Sequence, residues 1–118
     1  MELVKGEHFV IPGKLREGWG FTADESSANE RGFYKMYASD GTDKIFEFDG
    51  ETLKITRTIE VVDEYYLSVY QINELEYVDG YIYANIWYKD VLIKIDPESG
   101  RVVKRWDLSS LMETERAF

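Results

Sequence analysis

The sequence predicts an all-β fold, and three observations carry that prediction. Short segments alternate apolar and polar residues, as in Phe46-Glu47-Phe48-Asp49 and Ile93-Lys94-Ile95-Asp96, which is the period of a half-buried strand. Turn pairs interrupt them at Asp40-Gly41, Asp49-Gly50, Asp79-Gly80 and Ser99-Gly100, where glycine takes positive φ at little cost. The chain also repeats itself. Asp49 and Asp96 stand 47 positions apart, and that offset lays Lys44–Asp49 on Val91–Asp96, Lys54–Ile59 on Arg101–Trp106, and Tyr34–Ala38 on Tyr81–Asn85. Each repeat reads as four short strands in the length of one β-propeller blade.

In chain order, a stray strand near His8–Ile11 comes first. The first unit, about 17–62, then holds strands at Gly18–Ala23, Gly32–Ala38, Lys44–Asp49 and Leu53–Val61. Its polar segment Asp24–Gly32 reads as a solvated surface loop. The second unit, about 71–109, holds Ile72–Val78, Tyr81–Tyr88, Val91–Asp96 and Arg101–Leu108. Asp79-Gly80, set between two alternating runs, is the strongest hairpin signal in the chain. Asp96–Gly100 predicts a second tight connection. Helix is expected only at Leu108–Arg116. Residues 1–118 thus read as one partial propeller domain of about two blades, with an incomplete ring. A lone blade has two open faces, and stacking supplies the cover. The chain is therefore a fragment, a unit whose copies associate through open blade edges, or a smaller open sandwich.

Composition narrows the function classes. A formal net charge of −9 with scattered Lys and Arg repels phosphate backbones, so no nucleic-acid partner is expected. There is no cysteine, and His8 is the single histidine, which removes thiolate and His-rich metal sites. No apolar run approaches the roughly 20 residues needed to span a bilayer, so no membrane partner is expected. The opening MELVKGEHFV lacks the apolar core of a secretory signal. The chain is cytoplasmic if that N-terminus is genuine, or else its leader has been removed.

Taken one at a time, the polar and aromatic residues have ordinary readings. Asn73 is a strand-start residue that satisfies local backbone groups. Trp19, Trp87 and Trp106 are packing aromatics. Glu74 and Glu76 share one face of a strand.

Their arrangement says more. Ile72-Asn73-Glu74-Leu75-Glu76-Tyr77, a turn, and Ala84-Asn85-Ile86-Trp87 resemble the longest signature of the plant and bacterial glutaminyl-peptide cyclotransferases. Glu17-Gly18-Trp19-Gly20-Phe21-Thr22 is similar to that family's Gly-Trp-Gly strand. Ser39-Asp40-Gly41, Ile95–Val102 and Asp107–Leu111 continue the match in register. The resemblance runs from about Glu17 to Leu111.

The resemblance implies a five-bladed propeller acyltransferase that turns the N-terminal glutamine of a peptide or protein into pyroglutamate and releases ammonia. It implies no metal and no cofactor. Carried over position by position, Asn73 is the active-site Asn that holds the substrate carboxamide or its oxyanion. Trp19 and Trp87 line the pocket. Glu74 and Asn85 stand as second-tier candidates beside it, Asn85 for orienting neighbours. The family's catalytic Glu belongs to a blade N-terminal to this segment, and its Lys to a motif that would follow Leu111. This chain carries only part of the site, and alone it is not expected to turn over substrate. The family is mostly secreted or periplasmic. The alternative is a non-catalytic propeller-like module that binds or self-assembles.

Overall fold

The computed structural model describes residues 20–87 and 89–109. Eight strands form two four-stranded antiparallel meanders. The first sheet is β1 (Gly20–Asp24), β2 (Lys35–Ser39), β3 (Lys44–Asp49) and β4 (Ile55–Glu60), in that spatial order. The second is β5 (Ile72–Val78), β6 (Tyr81–Ile86), β7 (Val91–Ile95) and β8 (Val102–Asp107). The all-β expectation holds, as two blade-like sheets. Among the described residues no helix is long and apolar enough to cross a membrane. The expected strand at His8–Ile11 lies outside the described residues, as does nearly all of the expected helix at Leu108–Arg116.

The hairpins follow their turn chemistry. Asp79 (φ 49°) and Gly80 (φ 87°) are both left-handed, the two-residue turn whose twist matches the flanking strands. The Asp24–Gly32 segment is largely exposed, but it is built rather than slack. Asp24 is buried, its carboxylate accepts the Ser26 N–H, and the Glu25–Ser27 turn follows. Asn29 Oδ1 then accepts the N–H groups of Arg31 and Phe33. The second strand accordingly starts at Lys35 rather than Gly32.

Pairing corrects the repeat in one place. Tyr37 lies opposite Glu47, and Tyr83 lies opposite Lys94, so Tyr37 is equivalent to Tyr83 and not to Ala84. The β6–β7 connection is one residue longer than its counterpart. A slip of one residue moves every side chain to the other face, so the correction decides which residues share a face. Both sheets carry a bulge at the same point, between Glu47 and Phe48 and between Lys94 and Ile95.

Each sheet therefore has one predominantly apolar and one mixed face. Met36, Ala38, Phe46 and Phe48 cluster on one side of the first sheet. Ile82, Ala84, Ile93 and Ile95 hold the matching positions in the second. That second set packs against the mixed face of the first sheet, where Tyr37, Ile45 and Ile59 join the larger core cluster. Burying aliphatic side chains there contributes roughly 1.5–3 kcal/mol each before entropy, so this contact dominates cohesion between the sheets.

Charged groups at the contact are matched. The Glu47 carboxylate accepts from Arg57 Nη2 at 3.0 Å and from Thr56 Oγ1 at 3.0 Å. Arg57 Nη1 reaches the Glu98 carbonyl in the β7–β8 turn at 3.3 Å. The Tyr37 and Tyr77 rings stack across the contact at 5.6 Å, inclined by 4°.

Candidate functional site

The strands β1 and β5, which begin the two sheets, lie side by side. At one point their backbones nearly touch. A Cβ on Gly20 would fall 2.0 Å from the Asn73 carbonyl oxygen and 2.8 Å from Ser39 Oγ, far inside contact distance. Only glycine allows this approach. Ser39, fully buried at the end of β2, donates its hydroxyl to the same Asn73 carbonyl at 2.6 Å. Further along, the Tyr77 N–H donates to Thr22 Oγ1 at 2.9 Å.

Asn73 itself sits in an irregular register. Ile72 pairs with Ile86 and Leu75 with Ala84, so β5 has one residue more than β6 across this stretch, the count of a bulge. Ile72 and Leu75 are both buried, and Asn73 and Glu74 fill the interval. Asn85 closes the irregularity, its Oδ1 accepting the Glu74 N–H at 2.8 Å. The Asn73 backbone is thus held from the first sheet by Ser39, and its neighbour is held from β6 by Asn85. No described group hydrogen-bonds its half-exposed side-chain amide.

Trp87 follows β6 in the turn, and its N–H donates to the Gln71 carbonyl at 2.8 Å. Its side chain is 40% exposed. Asn73 and Trp87 therefore stand at the same end of the second sheet, Asn73 on β5 and Trp87 in the turn that follows β6. Trp19 lies outside the described residues. The residue after it in sequence, Gly20, is the one that abuts Asn73. Glu74 and Glu76 are both exposed, and they line a shallow concavity with Tyr83, Asn85 and Leu92 on the mixed face of the second sheet. Trp106 stacks on Tyr83 at 6.1 Å on that face.

Sequence reasoning quoted Gly20, Ser39 and Thr22 within motifs but gave no individual role to these residues, which seat Asn73 and its strand. Ser39 was visible only as part of a Ser-Asp-Gly turn. Its contact spans 34 positions, and no local pattern carries such a distance.

Two tyrosines at the sheet contact have perturbed ionisation. Burial pushes the Tyr77 phenol up, reinforced by the negative charge of the Asp24 carboxylate. Burial also raises Tyr37, with Glu47 as the next cause. Both stay neutral at ordinary pH. A concavity of about 560 Å³ opens beside them, lined by Thr22, Asp24, Glu25, Glu76, Tyr77 and Asp79 among others. Among the described residues no group of three or more His, Asp or Glu side chains could hold a metal ion.

The family described as glutamine cyclotransferase matches over residues 6–117. A glutaminyl-peptide cyclotransferase of Arabidopsis thaliana is 29% identical over 89 residues, which is 75% of this chain and 25% of the relative. The crystal structure of a Myxococcus xanthus glutaminyl cyclase superposes with a TM-score of 0.73 and 32% identity, over 86% of this chain and 40% of the other. A Kuenenia stuttgartiensis hydrazine synthase chain has a TM-score of 0.55 at 14% identity, over 90% of this chain and 27% of that one, a likeness of fold alone. The chain thus spans a quarter to two fifths of the first two relatives.

Proposed function

Because the chain belongs to the glutamine cyclotransferase family, we propose that it serves a glutaminyl-peptide cyclotransferase and carries the part of the active site that holds the substrate carboxamide. The substrate is a peptide or protein with N-terminal glutamine. Its α-amine nitrogen attacks the γ-carboxamide carbon, and a C–N bond closes the five-membered lactam. The original C–NH₂ bond breaks, the attacking amine sheds one proton as it becomes the lactam N–H, the departing nitrogen takes up one, and ammonia leaves. Such a reaction needs the coiled conformer held, the carbonyl polarised and the leaving nitrogen protonated.

The Asn73 amide is the donor for the carbonyl oxygen, whose charge grows as the tetrahedral centre forms. The indoles of Trp19 and Trp87 hold and partly desolvate the short glutamine side chain. Asn85 acts on Asn73 through the bulge, and Glu74 stands beside it on the exposed face. Proton transfer falls to groups outside this segment. The observation that carries the reading is the seating of Asn73, clamped at its backbone by Ser39 and Gly20 with its amide left for a ligand.

Titration of this chain with a glutaminyl dipeptide, with ammonia release followed in parallel, tests it. Saturable binding is expected, read by tryptophan fluorescence, and Asn73→Ala should weaken it or lower any ammonia release about 100-fold. Absence of both binding and ammonia would sink the proposal. Binding indifferent to Asn73→Ala would favour a non-catalytic module. Association of copies through open edges finds little support in β8, whose exposed Lys104 and Arg105 are the kind of charge that discourages strand pairing.

A further inference from the structure

The connection between the sheets, Val61–Gln71, exposes large apolar side chains in a tightly fastened frame. Tyr65 is 73% exposed, Leu67 62% and Tyr70 59%. Exposed apolar residues usually stand singly, and a cluster marks an interaction surface. This one is not a slack loop. Asp63 Oδ1 accepts the N–H groups of Tyr65 and Leu67, and the Asp63 N–H donates to the Leu67 carbonyl. Val62 bridges Ser68 on one side and Arg101 on the other.

Tyr66 is the anchor. Its ring lies under the Arg101 guanidinium at 4.5 Å, and its hydroxyl accepts from Arg101 Nη1 at 3.0 Å. Its φ of 62° is a conformation bulky residues avoid, and one that persists only where the surroundings impose it. Arg101 thus fixes the Tyr66 ring in place, while Tyr66 at 69% exposure stays as open to solvent as Tyr65, Leu67 and Tyr70.

Of these, Tyr65 and Tyr70 border a groove of about 470 Å³, and Leu67 stands outside its lining. The groove runs from Gln71, Ile86 and Lys89 outward to Tyr65, Val103 and Arg105. Its inner end adjoins the candidate site. Gln71 stands two positions before Asn73, and its carbonyl accepts the Trp87 N–H. The buried Ile86 and Ile93 contribute to its wall.

We propose that this groove and its tyrosine rim, Tyr65 and Tyr70, bind the peptide residues that follow the terminal glutamine, with a preference for apolar side chains. The proposal rests on the cyclotransferase reading, which places the glutamine side chain at Asn73. The rest of such a substrate must leave from its carbonyl carbon, and this trough begins at that end of the sheet. Tyrosine suits the task, because it offers a large amphipathic surface with few rotors to immobilise, and the fastened frame is already ordered before binding.

The test compares three ligands: glutamine amide, a Gln-Gly-Gly peptide and a Gln-Phe-Leu peptide. Their affinities are measured on this chain and on its Tyr65→Ser/Tyr70→Ser variant. The variant should bind Gln-Phe-Leu about tenfold more weakly and the other two within twofold. Both substituted side chains are exposed, and an unchanged melting curve confirms the fold. Equal loss for all three ligands, or no loss for any, overturns the rim. Failure of glutamine amide to bind even the unaltered chain would instead mark failure of the cyclotransferase reading. Concentration-dependent mass that the variant abolishes would assign the surface to a second copy and overturn the peptide assignment.

Discussion

The two sheets place the same three positions in different company. Tyr37, Glu47 and Arg57 run across β2, β3 and β4, and Tyr83, Lys94 and Lys104 run across β6, β7 and β8. The first trio is covered by the second sheet, with Tyr37 3% exposed and the Glu47 side chain 10% exposed. The second trio lies half-buried to exposed. Where the face is closed, the charges are opposite and bonded. Where it is open, two lysines stand directly across from each other, a pairing that costs free energy. Aromatic rings accept those ammonium groups, Tyr81 at 4.2 Å from Lys94 and Trp106 at 5.0 Å from Lys104. Burial demands partnered charge, whereas a solvated face tolerates like charges beside rings.

The sharpest way to break that comparison is to pry the closed face open. Gly20→Ala drives a Cβ into the Asn73 carbonyl, and a loss of about 3 kcal/mol or more is expected in urea unfolding. Gly32→Ala, whose Cβ meets nothing within 4 Å, should cost about 1 kcal/mol from its positive φ alone. Equal costs would mean that β1 and β5 do not touch.

Next in size is the ion pair. Arg57→Ala leaves the Glu47 carboxylate underpartnered and should cost about 2 kcal/mol, below the range for full burial because Arg57 keeps a third of its side chain in solvent. Lys104→Ala at the equivalent open position should stay within about 0.5 kcal/mol. Chemical denaturation of both variants measures the difference directly.

Alkaline pH probes the same contact. Tyr37 and Tyr77 have folded-state values raised above the ordinary 10.0, so folding favours their protonated forms. Their stabilisation is complete below pH 10 and declines as pH rises beyond it, because the unfolded chain ionises first. The urea midpoint should therefore fall above about pH 10, and Tyr37→Phe with Tyr77→Phe should flatten that fall. A midpoint with the same alkaline slope in the double variant would contradict it. The smallest effect should come from Lys104→Glu, which recreates on the open face the opposite-charge pairing of the closed one. A gain of about 0.5 kcal/mol is expected, and it should shrink in high salt.

Much of the architecture was legible along the chain. Asp79-Gly80 predicted its hairpin, alternation located the eight strands to within a few residues, and the 47-residue offset revealed two similar sheets. The repeat failed in β2 and β6, where a connection one residue longer shifts the alignment without disturbing the alternation of either strand. Asn73 and Trp87 were named from a motif, and they do stand at one end of one sheet. What seats Asn73 was not legible. Ser39 and Gly20 act on it from another sheet, and the bulge that frees its side chain shows only in the pairing.

The sequence by itself determined the all-β class, the turn positions and the alternation of faces, because backbone sterics and hydrophobic periodicity operate over a few neighbouring residues. Tertiary structure alone decided which mixed face is covered, which glycine tolerates no side chain, and which serine clasps the Asn73 carbonyl. Those outcomes depend on two sheets meeting through space, at separations where the order of residues along the chain carries no distance information.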